Sequence, residues 1–178
     1  MTDLVLTLLG PDRPGLVELV AGIVAAHGGN WLESRMTRLG GQFAGILRAE
    51  LPEAQLKSAL AALAALEQRG LKVVATSAPD DGVSTTAAAS RPRVMDLELV
   101  GLDRPGIVRE ISQLLAASGV NVEELVTERK SAPMSAEMLF EARAHVRVPP
   151  GTDVASLRAS LERLASDLMV EIRLEERR

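Results

Sequence analysis

The sequence has 178 residues, 47% of them hydrophobic, and carries a formal net charge of −4. It contains no cysteine, which excludes disulfide bonds, thiolate catalysis and cysteine-ligated metal. Acidic and basic residues are interleaved instead of forming a basic stripe, and no apolar run reaches the ~18 residues of a membrane span, so we expect a cytoplasmic protein that contacts neither nucleic acid nor membrane directly.

An alternating apolar run near the start predicts a first strand with Leu4, Leu6 and Leu8 on its inner face. The hexapeptide Gly-Pro-Asp-Arg-Pro-Gly follows at residues 10–15. A helix is predicted next, because four apolar residues recur at helical spacing: Leu16, Leu19, Val20 and Ile23. Pro14 suits the first turn of this helix, and Gly28 suits its carboxyl end, where a left-handed residue is favourable.

The rest of the first half predicts two strands, a helix and a last strand. After Asn30 the chain should run as one strand, turn back and run as a second strand. The inner face of this second strand is formed by Phe43, Gly45, Leu47, Ala49 and Leu51. The spacing of leucines predicts a helix at about residues 53–68, and residues 71–75 predict the closing strand. Residues 76–92, rich in Ser, Thr, Ala and Pro, have the composition of a flexible linker.

The second half repeats the first with an offset of 91 residues. Between residues 10–30 and 101–121, ten of twenty-one positions are identical, including Gly-x-Asp-Arg-Pro-Gly at 101–106. The first strand of this copy is predicted by Met95, Leu97 and Leu99 at alternating positions. The first helix is predicted by four apolar residues at helical spacing: Ile107, Ile111, Leu114 and Leu115. Pro105 and Gly119 correspond to Pro14 and Gly28.

The later elements of the second copy are predicted in the same order. Residues 138–148 alternate clearly as a return strand, a helix with Asp153 as its cap is predicted at about 153–167, and a last strand at 170–174. The hairpin around residues 130–135 holds six extra residues. The order βαββαβ predicts an α+β fold of two ferredoxin-like domains with antiparallel sheets, at 1–75 and 93–178, joined by the linker 76–92.

The repeated Gly-Pro turn is the candidate binding site. A strand-to-helix turn leaves free N–H groups that can hold a carboxylate, near Gly15, Leu16 and Val17 in the first copy. Asp12 and the side-chain carbonyl of Asn30 are candidate acceptors for an ammonium group. For each of these residues a purely structural role is as well supported as ligand binding. Gly15 would then pack the turn, Asp12 would accept hydrogen bonds from helix N–H groups, and Asn30 would hold a turn through its side chain.

Other residue patterns predict no catalytic or metal chemistry. The only histidines, His27 and His145, lie in different copies without a second histidine nearby, and no Ser-His-Asp order stands out. Arg13 and Arg104 are more often solvated or paired than bound to ligand.

The two first strands differ on their outward sides. The first copy places Val5, Thr7 and Leu9 there, and the second copy Asp96, Glu98 and Val100. We therefore expect the first outer face to be covered by the second copy, a second chain or another protein. Trp31 is a candidate anchor for that contact, with core burial as the equal alternative.

The chain resembles a tandem of ACT domains on four features: the βαββαβ order, Asp-x-Pro-Gly at the first turn, Gly-x-Asn after the first helix, and the occurrence of all these twice. With no catalytic domain attached, it looks like the glycine cleavage system transcriptional repressor type. The resemblance implies an effector site where two ACT domains meet, formed by these residues of the first copy: Gly10, Asp12, Arg13, Pro14, Gly15, Leu16 and Asn30. Their counterparts in the second copy are Gly101, Asp103, Arg104, Pro105, Gly106, Ile107 and Asn121. The unequal hairpins favour one competent site over two.

The resemblance implies a non-enzymatic homo-oligomer that needs no cofactor or metal and binds an amino acid such as glycine or serine. It would regulate transcription through a protein partner, a transcription factor. The alternative is a regulatory subunit of an amino-acid metabolic enzyme, with that enzyme as the partner.

Overall fold

The computed structural model describes residues 1–77, 92–132 and 137–177. By its internal contacts the chain divides into two compact units, Met1–Ser84 and Thr85–Arg178. Most of the predicted linker 76–92 and part of the hairpin 130–135 lie outside the described residues. The predicted domain boundaries therefore stay a prediction.

The first unit is a four-stranded antiparallel sheet with two helices. Its elements are β1 (Thr2–Pro11), α1 (Leu16–Ala26), β2 (Asn30–Leu39), β3 (Gln42–Leu51), α2 (Glu53–Ala65) and β4 (Lys72–Ser77). The strands lie in the order β2-β3-β1-β4, and a short 3-10 helix at Leu66–Arg69 extends α2. This order is that of a ferredoxin-like βαββαβ unit.

The second unit repeats this arrangement. Its elements are β5 (Arg93–Leu102), α3 (Ile107–Ala117), β6 (Asn121–Ser131), β7 (Met138–Val148), α4 (Val154–Leu168) and β8 (Val170–Glu176). The strand order β6-β7-β5-β8 is the same as in the first unit. The predicted fold class, two ferredoxin-like units with antiparallel sheets, is confirmed.

Each unit buries its own apolar core between the helices and one face of the sheet. The predicted inner faces of β1 and β5 are buried, from Leu4 to Leu8 and from Met95 to Leu99. The neighbouring strands continue these faces, because Leu6 lies opposite Leu47 and Leu97 lies opposite Ala144. Alternation along the strands therefore defines which sheet face meets the helices.

Helices α1 and α3 end in the same motif. Gly28 and Gly119 have φ angles of 67° and 70°, as predicted for a left-handed carboxyl cap. The N–H of Gly29 donates to the carbonyl of Val24 at 2.8 Å, and the N–H of Val120 donates to that of Leu115 at 2.9 Å. These are Schellman bonds, which fix where β2 and β6 begin.

Candidate functional site

The two Gly-x-Asp-Arg-Pro-Gly segments, residues 10–15 and 101–106, connect β1 to α1 and β5 to α3. We call them the first and second DRPG loops. Each lies at the end of a central strand, next to the hairpin that joins the following two strands. The N–H of Asp12 donates to the carbonyl of Gly41 at 2.9 Å, and that of Asp103 to the carbonyl of Met138 at 2.8 Å. Both loops are thus fixed to the sheet through their backbones.

The glycine that opens each loop is required by close packing. A Cβ on Gly10 would lie inside 3.0 Å of the carbonyl oxygen of Gly70 and 3.3 Å from the Cα of Leu71. A Cβ on Gly101 would meet Val170 in the second unit, including its Cα at 2.9 Å. Gly10 and Gly101 therefore let the central strand approach the chain that enters the last strand.

The glycine that ends each loop caps the helix in a left-handed conformation. Gly15 has φ of 89° and Gly106 has φ of 98°, and neither helix receives a hydrogen bond from a side-chain cap. The prediction that Pro14 and Pro105 lie in the first helical turn is wrong, because a residue with positive φ separates them from the helices, which begin at Leu16 and Ile107. The first N–H groups of α1 and α3 are without intrahelical partners, as at every helix start.

The aspartate of each loop forms an ion pair with the outer-edge strand. Arg38 on β2 lies 2.7 Å (Nε–Oδ2) from Asp12, and Arg129 on β6 lies 2.7 Å from Asp103. The interpretation of Asp12 as a helix cap is wrong, since its carboxylate pairs with Arg38. Both arginines were missed from the sequence, although they share the 91-residue offset of the loops.

The arginines inside the loops take different positions. The guanidinium of Arg13 donates to the carbonyl of Arg69, at the end of the 3-10 helix. In the second loop, the Nε of Arg104 is buried and has no hydrogen-bond partner among the described residues. The two loops therefore share a backbone shape and differ in side-chain chemistry.

A glutamate of the chain lies beside each left-handed cap. Glu18 Oε2 is 3.8 Å from the position a Cβ would take on Gly15, and Glu110 Oε1 is 3.4 Å from the same position on Gly106. Carboxylates in the first turn stabilise a helix through its dipole. A ligand carboxylate at these N–H groups would have to displace the glutamate or share the site with it.

Asn30 and Asn121 lie at the far end of each sheet from the DRPG loop of their own unit. Asn30 is opposite Glu50, which is opposite Asp3, whereas the loop begins at Gly10, seven residues along β1. At ~3.3 Å per residue the two ends are roughly 23 Å apart. Asp12 and Asn30 of one unit therefore do not meet, because α1 carries the chain from one end of the sheet to the other, and the role of both residues as acceptors for an ammonium group stays a prediction.

The outer sheet faces differ, as predicted. In the first unit Leu9, Ile46 and Val74 are about half exposed and neighbour Val5 and Thr7. Leu9 and Ile46 border a shallow depression of about 420 Å³, which is also lined by Thr7, Arg35, Thr37 and Ala44. Trp31 is half-buried and packs against the core, which favours core burial over an interface anchor. Coverage of this face stays a prediction.

The outer face of the second unit carries a ladder of charged pairs. His145 Nδ1 lies 2.6 Å from Asp96, its Nε2 lies 3.4 Å from Glu124, and Arg143 Nε lies 3.9 Å from Glu98. These residues lie on β5, β6 and β7 in direct cross-strand register, where opposite charges attract. The charged residues at the centre of this face are therefore paired with one another.

Two outer-face pairs shift pKa values. Hydrogen bonds from Arg48 at 2.6 and 2.8 Å hold the pKa of Asp3 below its ordinary value. Hydrogen bonds to Glu141 and then to Glu128 raise the pKa of Lys130, and the bond from Lys130 lowers the pKa of Glu141. The Asp3–Arg48 and Lys130–Glu141 pairs each join neighbouring strands of one unit, whereas Glu128 lies on the same strand as Lys130.

Within residues 1–77, 92–132 and 137–177, no group of three or more His, Asp or Glu side chains could hold a metal ion. No helix in the described part of the chain is long and apolar enough to cross a membrane.

Comparisons with known proteins agree with this geometry. The sequence model of the ACT domain family matches residues 2–76 and 97–175. The glycine cleavage system transcriptional repressor of Escherichia coli (strain K12) is 25% identical over 93% of this chain and 85% of its own length. The crystal structure of an unknown protein from Galdieria sulphuraria superposes with a TM-score of 0.83 at 29% identity, covering 99% of both chains. That of a candidate glycine cleavage system transcriptional repressor superposes with a TM-score of 0.70 at 20% identity, covering 99% of this chain and 98% of that chain.

Proposed function

Since its two matched segments span most of its length, the chain belongs to the ACT domain family, and we propose that it senses an amino acid and regulates transcription through a protein partner. The similarity to the glycine cleavage system transcriptional repressor supports the regulatory part of this proposal. We propose further that the protein itself catalyses no reaction and that glycine or serine is its effector.

The observation that carries the proposal is the repetition of one local structure in both units. Each DRPG loop combines a left-handed glycine cap, a helix start without a side-chain cap and an aspartate held by an arginine. Free N–H groups at a helix start favour a carboxylate. The other carboxylate oxygen, Oδ1, of each aspartate is a candidate acceptor for an ammonium group.

The asparagines take part in the proposed site only from a different ACT copy. Asn30 is roughly 23 Å along the sheet from the first DRPG loop, a spacing set by seven strand residues. We therefore retain Asn30 and Asn121 as ligand contacts supplied to the loop of another copy, as the family resemblance implies. Such a shared site would make binding depend on the arrangement of the copies, and a ligand shifts that arrangement by its differential affinity.

Calorimetric titration of the full chain with glycine, serine and other amino acids tests the sensing proposal. Saturable binding is expected, and Asp12→Ala and Asn30→Ala are each expected to weaken it at least tenfold. Asp167→Ala, an exposed carboxylate on α4, is the matched control and should leave binding unchanged. If no amino acid binds at millimolar concentration, the sensing proposal is wrong.

The nature of the partner needs a separate experiment. Affinity capture with the full chain, with and without the bound amino acid, should retain a DNA-binding protein. Capture of an amino-acid metabolic enzyme in its place would support the alternative, a regulatory subunit. If the same protein is captured equally well with and without the amino acid, partner binding does not depend on amino-acid binding.

A further inference from the structure

Strand β8 lies at one edge of the second sheet, with β5 as its only strand neighbour among the described residues. The N–H of Arg177, directly after the strand, donates to the carbonyl of Val94 on β5 at 3.1 Å. Because the backbone groups of a strand alternate in direction, those of every second residue before Arg177 also point to β5. The N–H and carbonyl groups of Ile172, Leu174 and Glu176 therefore point to the free side of β8.

A groove of about 360 Å³ follows this free side, between β8 and α4, and no residue of β5 lines it. Leu161 on α4 and Ile172 and Leu174 on β8 give it apolar surface. Two arginines and two glutamates complete the lining: Arg158, Glu162, Arg173 and Glu175. Within residues 1–77, 92–132 and 137–177, none of these four side chains has an ion-pair partner.

The charges on the outer side of β8 alternate in sign. They belong to Glu171, Arg173, Glu175 and, directly after the strand, Arg177. Across β5, Glu175 lies opposite Asp96, and like charges in this position are destabilising. Arg173 lies opposite Glu98, which is 3.9 Å from Arg143. The sheet of the second unit therefore opposes Glu175 with an acid and offers Arg173 an acid that already has a cation beside it.

A second copy of β8 complements these charges. When Leu174 lies opposite Leu174 of the second copy in an antiparallel pair, Arg173 lies opposite Glu175, and Glu171 lies opposite Arg177. The two-fold axis repeats each of these pairs. The free backbone groups of the even-numbered residues then form the hydrogen-bonded positions of the ladder, and the charged residues occupy the positions between them, where side chains are closest.

The neighbouring registers bring like charges together. A shift of two residues, the smallest that preserves the ladder, places Arg173 opposite Arg173 and Glu171 opposite Glu175. The opposite shift places Glu175 opposite Glu175 and Arg173 opposite Arg177. Like charges directly opposite are destabilising. Charges that only protect an edge strand would repel a second strand in every register, whereas those of β8 attract in one register and repel in the registers on both sides of it.

Helix α4 carries the same complementarity. Arg158 and Glu162 are one helical turn apart and line the groove together with residues 172–175 of β8. A two-fold axis at Leu174 would set the two α4 helices antiparallel, with Arg158 of each copy beside Glu162 of the other. The apolar surface of Leu161 and Ile172 in the groove would then be removed from water, which favours association.

The corresponding edge of the first unit lacks this pattern. Strand register on the central strands makes Lys72, Val74 and Thr76 the counterparts of Glu171, Arg173 and Glu175. One charge remains there, and it has no opposite charge on β4 to complement it in a second copy. The alternation is therefore a property of the second unit and does not follow from the shared fold.

We propose that two copies of the chain associate through their β8 edges about a two-fold axis at Leu174, which joins two four-stranded sheets into one of eight strands. The inference goes beyond the proposed function, because the residues of the DRPG loops, Asn30 and Asn121 take no part in it. Its test needs no amino acid, so the association and the sensing proposal can fail independently.

Sedimentation velocity of the full chain without amino acid tests the association. The mass should rise with concentration from the 18.9 kDa of one chain towards twice that value. Arg173→Glu places an acid opposite Glu175 of the second copy, and Glu175→Arg places a base opposite Arg173. Each variant should raise the dissociation constant of the dimer about tenfold or more, because two attractive pairs become two repulsive ones.

A charge exchange separates this effect from a loss of folding. The double variant Arg173→Glu with Glu175→Arg should form the dimer again, because each acid once more lies opposite a base. A mixture of the two single variants should form the mixed dimer for the same reason, detected by native mass spectrometry. Lys72→Glu, a charge reversal on the corresponding edge of the first unit, is the matched control and should leave the mass unchanged.

Three results would overturn the proposal. The first is a chain that stays monomeric at millimolar concentration. The second is a single variant, Arg173→Glu or Glu175→Arg, that forms the dimer as well as the unmodified chain, because the association would then use another surface. The third is a double variant that stays monomeric, because the charges would then not act as pairs.

Discussion

Replacing Gly10 by alanine should destabilise the first unit, although the change adds one methyl group. The new Cβ would lie inside 3.0 Å of the carbonyl oxygen of Gly70 and 3.3 Å from the Cα of Leu71. Both neighbours are backbone atoms, so no side-chain rotation relieves the overlap and the strands must separate. Overpacking of this kind costs about 1–3 kcal/mol. With a urea m-value of ~1 kcal/mol per molar, the unfolding midpoint should fall by about 1–3 M.

Urea unfolding monitored by the fluorescence of Trp31 measures this effect, because the single tryptophan reports on the first unit. Gly22→Ala is the matched control. It makes the same chemical change inside α1, where an added Cβ meets nothing within 4 Å, and should stabilise by about 0.5–1 kcal/mol. If Gly10→Ala and Gly22→Ala shift the midpoint in the same direction, close packing does not explain Gly10.

The two ends of α4 and the Asp3–Arg48 ion pair give three further predictions. Asp153→Ala should destabilise the second unit by about 0.5–2 kcal/mol, because the side chain accepts a hydrogen bond from the N–H of Ala155 at 3.0 Å; far-UV circular dichroism in urea should detect this with Trp31 fluorescence unchanged. Asp3→Asn should lower the free energy of unfolding at pH 7, because Arg48 stabilises the ionised carboxylate of Asp3. The difference from the unmodified chain should disappear as the pH falls below the ordinary pKa of 3.8 and then through the lower pKa of the folded state. Urea midpoints measured across this pH range test the expectation. A residual difference at the acidic limit would contradict that explanation. Met169→Gly should raise thermal stability by about 0.5–1 kcal/mol, since Met169 holds a φ of 54° at the exposed end of α4; a lower melting temperature would show that its side chain stabilises the unit.

Periodicity and repetition predicted the fold well. The alternation of Leu4, Leu6 and Leu8 and the helical spacing of Ile107 and Ile111 depend on local geometry, which the sequence records directly. The second copy predicts the same elements in the same order, which supports each assignment independently. Comparison of the copies also predicted the unequal outer faces, because strand alternation assigns every second residue to one side.

The contacts of the candidate site were harder to predict, because residues distant in sequence are brought together by the pairing of strands in the sheet. Asn30 follows α1 closely in sequence, yet the helix carries the chain to the opposite end of the unit. Arg38 reaches Asp12 only because β2 runs back along the sheet to the DRPG loop. The position of Pro14 was wrong for a local reason: the left-handed conformation of Gly15 delays the helix by a residue.

The contrast between the outer faces also bears on how a duplicated chain folds correctly. Tandem copies with similar sequences can exchange strands and misassemble, and the inner faces of β1 and β5 are both apolar and alike. Pairing β1 with β7 in the register of its normal partner β3 would place Val5 beside His145 and Thr7 beside Arg143. Those two side chains would then lose Asp96 and Glu98 as neighbours. The divergence of the outer faces thus disfavours exchange and keeps each strand with its own half of the chain.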